Sequence, residues 1–383
     1  MGLFEKIFPH SQQKQGNEYF KLLTAYTPHF TSHSEQIYES AIVRSAIHAK
    51  AIHISKLKID IVGTSKPRVQ TWIKDAPNEF MTWGQFLYRA STILDAQNTA
   101  FIVPILDPNN GLTGVYPVLP SQCDIVEVSG EPWLKYKFAD GNTAAIEKKY
   151  CGVLTKYQYR NDFFGESNDT LQPTMSLINM QNQGIEEGIK NGASYRFYAR
   201  VSNFSKDSDL AKERKRFSRE NFEKEGGGIL LFPNTYTDIK QVDAKPFVVN
   251  AAQMQAIEQN VYNYFGVNAD IIQNKAFGDS WAAFYEGAIE PFAIQLSEVL
   301  TRMLFTPNER SRGTRIMATA NRLQYMTNQD KLNVSAQMAD RGIMNRDEIR
   351  EIWNLPPLPN WMGKSYPVRG EYYTLEDKQQ GDK

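Results

Sequence analysis

A chain of 383 residues is long enough for one large core or for two or three smaller ones. Its 41% apolar and 22% charged content is that of an ordinary globular protein. Lys plus Arg and Asp plus Glu both total 43, so the formal net charge is zero; this excludes a chain built overall as a nucleic-acid clamp and leaves weak, sliding contact or a local basic patch.

The opening MGLFEKIFPHSQQKQ has neither the basic region nor the apolar run of a signal peptide. Lys6 stands where a myristoylation signal wants Ser or Thr. No apolar stretch reaches the about 18 residues of a spanning helix. The expectation is synthesis in a cytoplasm. Residues 1–16 read as a polar lead-in. From Ser34 to Lys56, Ile37, Ala41, Ile42, Val43, Ala46, Ile47, Ala51 and Ile54 recur at helical spacing. LKIDIVG then alternates as a strand ending at Gly63. Thr82 is a cap for a helix carrying Phe86, Leu87, Ala90 and Leu94. AFIVPIL is a strand that Pro104 marks as edge or bulged, and DPNNG is a turn. VYPVLP, CDIVEV, WLKYKF and AIEKKYCGVLTKYQY continue as short strands, so residues 60–160 predict mixed α+β built from antiparallel hairpins.

Pro173 opens a helix with Met175, Ile178, Asn182, Ile185 and Ile189 on one stripe; Gly184 and Gly188 weaken it, at about 1 kcal/mol each, or, four apart, allow close approach by another helix. YRFYARV is a strand, DLAKERKRFSRENFEKE a charged helix, GGG a plain turn and ILLF another strand. A helix from Asn250 places Met254, Ile257, Val261 and Tyr264 on one side and ends at Gly266. A polar loop from Asn268 to Ser280 follows. A long helix from Trp281 then carries Phe284, Ala288, Phe292, Leu296, Val299 and Met303, with a kink at Pro291. TRIMATANRLQY returns as a strand. Asn345 and Glu348 spell a capping box with Met344 stapling Ile349, and LPPLP stops that last helix.

Residue types for catalysis are not assembled. His29 and His33 sit four apart with no third ligand, and none of the nucleophile-elbow, phosphate-loop or dinucleotide motifs occurs. Cys123 and Cys151 fit no ligand spacing and read as reduced core residues. The expectation is no enzyme, no metal and no cofactor. A content of 19 Tyr and 21 Phe suits a large core and subunit interfaces equally.

The order of these segments resembles the portal proteins of tailed bacteriophages, specifically the shorter portal family of long-tailed phages. AIVRSAIHAKAIHISKLKIDIVG resembles the family's opening helix and first strand. GESNDTLQP stands, loosely, at its glycine-serine-proline-leucine motif. FGVNADIIQ resembles its FGVPP loop, with Asn268 and Ala269 replacing the prolines. MNRDEIREIWNLPPL resembles its C-terminal helix and proline stop through Asn345, Glu348, Arg350 and Pro356.

The resemblance implies an α+β portal-type subunit with a mixed α+β wing, a helical stem, a small α/β clip and a helical crown. Residues 1–172 would be the N-terminal part of the wing, 173–195 and 248–266 the stem helices, and 196–247 the clip. Residues 267–280 would be the tunnel loop, 281–325 the kinked helix and wing return strand, and 326–383 the crown and tail. It implies a homododecameric ring at one capsid vertex of the virion, a conduit for double-stranded DNA, meeting terminase, the major capsid protein and a head-tail connector. In that arrangement Asn268, Asn274, Lys275 and Ser280 would touch phosphates without reading sequence, while Asp270 and Asp279 limit sticking. Lys212, Arg214, Arg216 and Arg219 would lie on the docking clip. Another phage head or tail structural protein, and an enzyme with scattered active-site residues, are the alternatives.

Overall fold

The structure, a computed structural model, describes residues 21–22, 38–63, 70–106, 111–137, 143–192, 197–201, 207–221, 236–241, 250–320 and 328–367. It divides into two units, residues 1–173 with 258–383, and residues 174–257. The predicted GGG turn, the ILLF strand, all of NRLQY and all of DPNNG but Gly111 lie outside the described residues.

In the larger unit, strand β1 (Lys21–Leu22) precedes helix α1 (Ala41–Ile54), whose Val43, Ala46, Ile47, Ala51 and Ile54 are buried at the predicted spacing. Strand β2 (Lys58–Val62) and the single turn α2 (Gln70–Ile73) lead to helix α3 (Trp83–Gln97). Thr82 caps α3 as the sequence indicates: its hydroxyl accepts from the Gln85 amide, and the Gln85 side chain accepts from the Thr82 amide at 2.9 Å. The helix ends at Asn98, whose left-handed φ of 52° turns the chain straight into a strand.

That strand, β3 (Thr99–Leu106), is the centre of an antiparallel sheet between β4 (Leu112–Val118) and β8 (Gly152–Thr155). A second sheet, in the order β1-β5-β6-β7, contains β5 (Cys123–Val128), β6 (Glu131–Lys137) and β7 (Thr143–Glu147). One core joins residues of both sheets: Phe101, Val103, Ile105, Val118, Ile125, Leu134 and Phe164 pack there with Cys123 and Cys151. Each fully buried large side chain contributes about 1.5–3 kcal/mol. Burial pushes the Cys151 thiol up to about 12 and raises that of Cys123, so both are inert packing residues.

Pro104 was expected on an edge or at a bulge, yet β3 is central. The pairing explains it. The β8 partner ends at Ile102, and Pro104 faces Val115, whose amide donates instead to Pro77 O at 2.8 Å. Pro104 therefore occupies a position without a ladder bond and beyond its third strand, and its missing donor costs nothing. The register shift follows one residue later, between Ile105 and Leu106.

Helix α4 (Gln172–Gly192) belongs to the smaller unit from Thr174 onward. That unit also holds β9 (Phe197–Val201), helix α5 (Asp207–Asn221) and β10 (Tyr236–Gln241), an antiparallel partner of β9 that the sequence reading passed over. Helix α6 (Ala251–Phe265) begins in the smaller unit and belongs to the larger from Glu258. On α4, Met175 is buried, but Ile189 is 70% exposed and Leu177 and Met180 also face outward.

After α6 the larger unit continues with a single turn, α7 (Ala269–Ile272), and helix α8 (Asp279–Phe284). A π turn over Tyr285–Ile289 passes into helix α9 (Glu290–Leu304), and α10 (Pro307–Ser311) follows. Strand β11 (Arg315–Thr319) pairs antiparallel with β2 in the predicted return. On the side of β11 away from β2, the Ile316 and Ala318 amides donate to the Thr301 and Ser297 hydroxyls at 2.9 and 2.8 Å. Helix α9 thus blunts a strand edge with hydroxyls one turn apart. The unit ends in α11 (Asn328–Asp340) and α12 (Arg346–Ile352), the latter carrying the predicted Asn345–Glu348 capping box.

Candidate functional site

The polar segment between α6 and α8 is more ordered than a slung loop. Helix α6 closes with Gly266 at φ 70°, the Gly266 amide on Asn263 O and the Val267 amide on Tyr262 O. Asn268 then caps α7, its side chain accepting from the Ile271 amide at 2.9 Å. The same closing motif repeats one turn on. Asn274 takes φ 57°, its amide meets Ile271 O, and the Lys275 amide meets Asp270 O at 2.7 Å. Val267 and Ile271 are buried beneath, so the segment is pinned at its base and bare at its tip.

The four residues expected to face a channel divide accordingly. Asn274 and Lys275 lie on the exposed tip, with Lys275 Nζ 2.8 Å from Gln273 Oε1. Asn268 is half-buried and spends its carbonyl on the cap. Ser280 lies inside α8, because the helix starts at Asp279 rather than at Trp281. The sequence reading missed Phe277, 72% exposed beside Gly278 at φ 57°. An aromatic residue set between Ala and Gly in a polar run was the available signal.

Beyond the tip, the bend expected at Pro291 is built as the π turn, where the Glu290 amide reaches back to Tyr285 O. Proline lacks a donor and its ring collides with the carbonyl four residues earlier in a regular helix. One extra residue in the preceding turn relieves both.

Under the start of this segment sits a buried polar hub. Asp95, at the end of α3, accepts from Lys50 Nζ at 3.0 Å and from Lys156 Nζ at 2.9 Å. Burial alone would raise the Asp95 carboxyl, but the two ammonium groups outweigh it and hold the carboxyl below its ordinary range. Burial also lowers Lys50, against the opposing pull of Asp95. Lys156 lies over the rings of Tyr157 and Phe265 at 5.0 and 5.6 Å. Tyr157 Oη donates to Tyr264 O at 2.8 Å, and Tyr264 Oη donates to Asn168 Oδ1 at 2.6 Å. Asn168 in turn donates to Ala96 O at 2.8 Å. The last turn of α6, from which the polar segment springs, is thereby fastened to α3 and to the 156–168 loop.

In the smaller unit, α5 turns one face to β10, with the Phe217 and Tyr236 rings 5.7 Å apart and Tyr236 Oη donating to Glu213 Oε1 at 3.0 Å. Lys212, Arg214, Arg216 and Arg219 are all exposed. Helical spacing gathers Lys212, Arg216 and Arg219, joined by Lys215, into one stripe at i, i+3, i+4 and i+7. Arg214 falls on the other side. Arg216 pairs with Glu213 at 3.0 Å, so the stripe is anchored at one flank.

A groove of about 840 Å³ in the larger unit is lined by His53, Trp83, Trp281, Tyr285 and Ile352 among others. Burial and the neighbouring Lys56 push His53 down to about 4, so it is neutral near pH 7 and packs as a ring, 4.7 Å from Trp281. Among the described residues, no three His, Cys, Asp or Glu side chains gather as metal ligands, and no helix is long and apolar enough to cross a membrane.

Comparison with known proteins gives a consistent result. The model of the phage portal protein family matches residues 41–354. Among solved structures, the neck of a native gene transfer agent particle computed with C12 symmetry superposes with TM-score 0.58 at 13% identity, covering 87% of this chain and 95% of that one. The virion of the native gene transfer agent particle gives 0.59 at 12% identity, covering 85% and 93%. An HK97-family phage portal protein from Corynebacterium diphtheriae gives 0.50 at 10% identity, covering 76% and 95%. At these identities the likeness is one of fold. No curated protein matches the chain.

Proposed function

The chain belongs to the phage portal protein family, and we propose on that premise that copies of it close into a ring at one vertex of a virion, with double-stranded DNA passing through the bore. The role is structural: a conduit and docking platform with no chemistry of its own. The family match over residues 41–354 carries the reading. Fold likeness to a subunit of a neck with C12 symmetry supports the ring. So does α4, whose exposed Leu177, Met180 and Ile189 suit an interface with a neighbouring copy. Electron microscopy of the purified protein tests the reading directly. Perforated rings are expected, and a monomer at every concentration overturns it.

Within that reading, the tip around Asn274 and Lys275 faces the DNA. One cation between Asp270 and Asp279 gives a contact that neither clamps nor reads sequence, since every phosphate looks alike. Lys275→Glu changes two units of charge in every copy at a site that holds no fold together. Rings should assemble as before while packaged DNA per particle falls severalfold. Packaging at the wild-type level would remove the loop from the channel.

The stripe on α5 is the docking face for terminase and then for the connector. A partner with an acidic surface fits it, and the attraction weakens with salt. Lys212→Glu with Arg219→Glu should weaken capture of the cognate partner by about tenfold or more at low salt. Arg214→Glu, off the stripe, should change it little. Equal losses from both variants would refute the stripe.

A further inference from the structure

Nothing in a conduit requires the groove of about 840 Å³ beside His53. Its floor is apolar: Leu57, Ile289 and Ile352 are buried there, with the rings of Trp281 and Tyr285. Neutral His53 adds a ring to that floor rather than a charge. Lys56, Lys58 and Lys74, all exposed, stand at its rim. Helix α12 supplies Met344, Glu348 and Glu351. Both glutamates are already engaged, Glu348 accepting from the Asn345 amide at 2.8 Å and Glu351 from Lys58 Nζ at 3.4 Å. Of the lining charges these contacts leave over, Lys56 and Lys74 outnumber Asp60.

The last described residues lie beside this groove. Ser365 O accepts from the Arg346 amide at 3.3 Å, which sets it against the first turn of α12, between Met344 and Glu348. Pro367 is the last described residue, and residues 368–383 follow it. Within them, 371–377 reads EYYTLED: two tyrosines and a leucine among three carboxylates, with no base. Tyrosine suits a cleft with a dry floor and a wet rim, because its ring packs on apolar side chains while its hydroxyl stays in water. The carboxylates match the lysines. The stretch from Pro367 to Glu371 spans up to about 14 Å when extended, so reach is no obstacle. So short a tether also holds the segment at an effective concentration in the millimolar range, which a free partner would have to exceed.

We infer that residues 371–377 dock into this groove of their own chain, tyrosine rings on the apolar floor and carboxylates toward Lys56 and Lys74. The docked segment straps α12 to the end of α1 and the start of β2. The Lys58–Glu351 pair, 62% and 52% exposed, spans the same gap and adds little by itself.

Hydrogen exchange tests this on the full-length chain, compared with Tyr372→Ser combined with Tyr373→Ser. The double substitution should speed exchange at 281–289 and 57–62 severalfold. Lys56→Glu with Lys74→Glu should do the same, most clearly at low salt. An engineered crosslink gives an independent readout. Lys74→Cys with Tyr373→Cys, treated with diamide, should close a disulfide within one chain, while Cys123 and Cys151 are buried and stay out of it. Lys149→Cys with Tyr373→Cys, whose first member is exposed outside the groove, should close at least tenfold more slowly. Unchanged exchange in the tyrosine variant, or equal closure of the two cysteine pairs, overturns the docking. A disulfide that joins two chains rather than one gives the groove to the tail of another copy and overturns it as well. None of these readouts depends on ring assembly, so the ring reading stands or falls separately.

Discussion

Replacing Asp95 by Asn is expected to destabilise the larger unit by about 3–5 kcal/mol, the cost of removing one member of a buried ion cluster. The carboxylate lies under both Lys50 and Lys156, whose side chains are 8% and 22% exposed. Lys156 can swing toward solvent; Lys50 cannot. It must stay charged without a counter-ion or lose its proton, and near pH 7 the second route costs roughly 5 kcal/mol, at 1.36 kcal/mol per pH unit. A double variant, Lys50→Met with Asp95→Leu, should recover most of the loss, because exchanging a buried pair for apolar side chains is commonly close to neutral. Denaturant unfolding of Lys50→Met, Asp95→Leu and the double variant measures the coupling. Additive losses would show that Lys50 and Asp95 do not act as a pair.

The same cluster sets a pH dependence. The folded Asp95 carboxyl lies below its unfolded value, so its stabilisation is complete above the ordinary carboxylate range and is lost as pH falls through the depressed folded value. His53 shifts in the same downward sense, to about 4. The unfolded chain therefore takes up that proton first, and stability declines as pH drops from about 6.5 toward 4.

These effects explain what the sequence could and could not reveal. Thr82 as a cap, Asn345 with Glu348 and the glycine close at Gly266 were legible because each motif is local, satisfied within five residues of chain. The burial of α1 followed from one periodicity. Asp95, Lys50 and Lys156 were invisible for the opposite reason: they are 45 and 61 residues apart and meet only through the tertiary fold. Asn268 and Asn274 were read as phosphate contacts by residue type, and their amide-capping roles emerge only from backbone angles. Pro291 gave the position of a break in the helix but not its form, since a kink and a π turn relieve the same clash. Strand β10 escaped because its pairing partner, not its composition, makes it a strand.

Gly165→Ala should cost about 3 kcal/mol or more, an overpacking penalty of about 1–3 kcal/mol together with hydrogen bonds worth about 1 kcal/mol each. The backbone of Gly165 is not in the left-handed region, so the reason is space alone. A Cβ there would lie 2.1 Å from Lys156 O and 2.3 Å from Asn98 O. Neither carbonyl can yield cheaply, since Asn98 O already accepts from the Lys156 amide at 2.9 Å. The 156–168 loop must therefore lift. Lifting it pulls the Gly165 amide from Thr99 Oγ1 at 2.9 Å and Glu166 O from Asn98 Nδ2 at 2.8 Å. It also moves Asn168, on which Tyr264 holds the end of α6. Gly287→Ala is the matching control, because nothing lies within 4 Å of an added Cβ there, and it should leave stability unchanged or slightly raised. If thermal unfolding gives the two variants equal midpoints, the close approach at Gly165 carries no energy. If Gly165→Ala alone is destabilised but its rings still package DNA normally, the hub fastens the fold without positioning the loop that α6 launches.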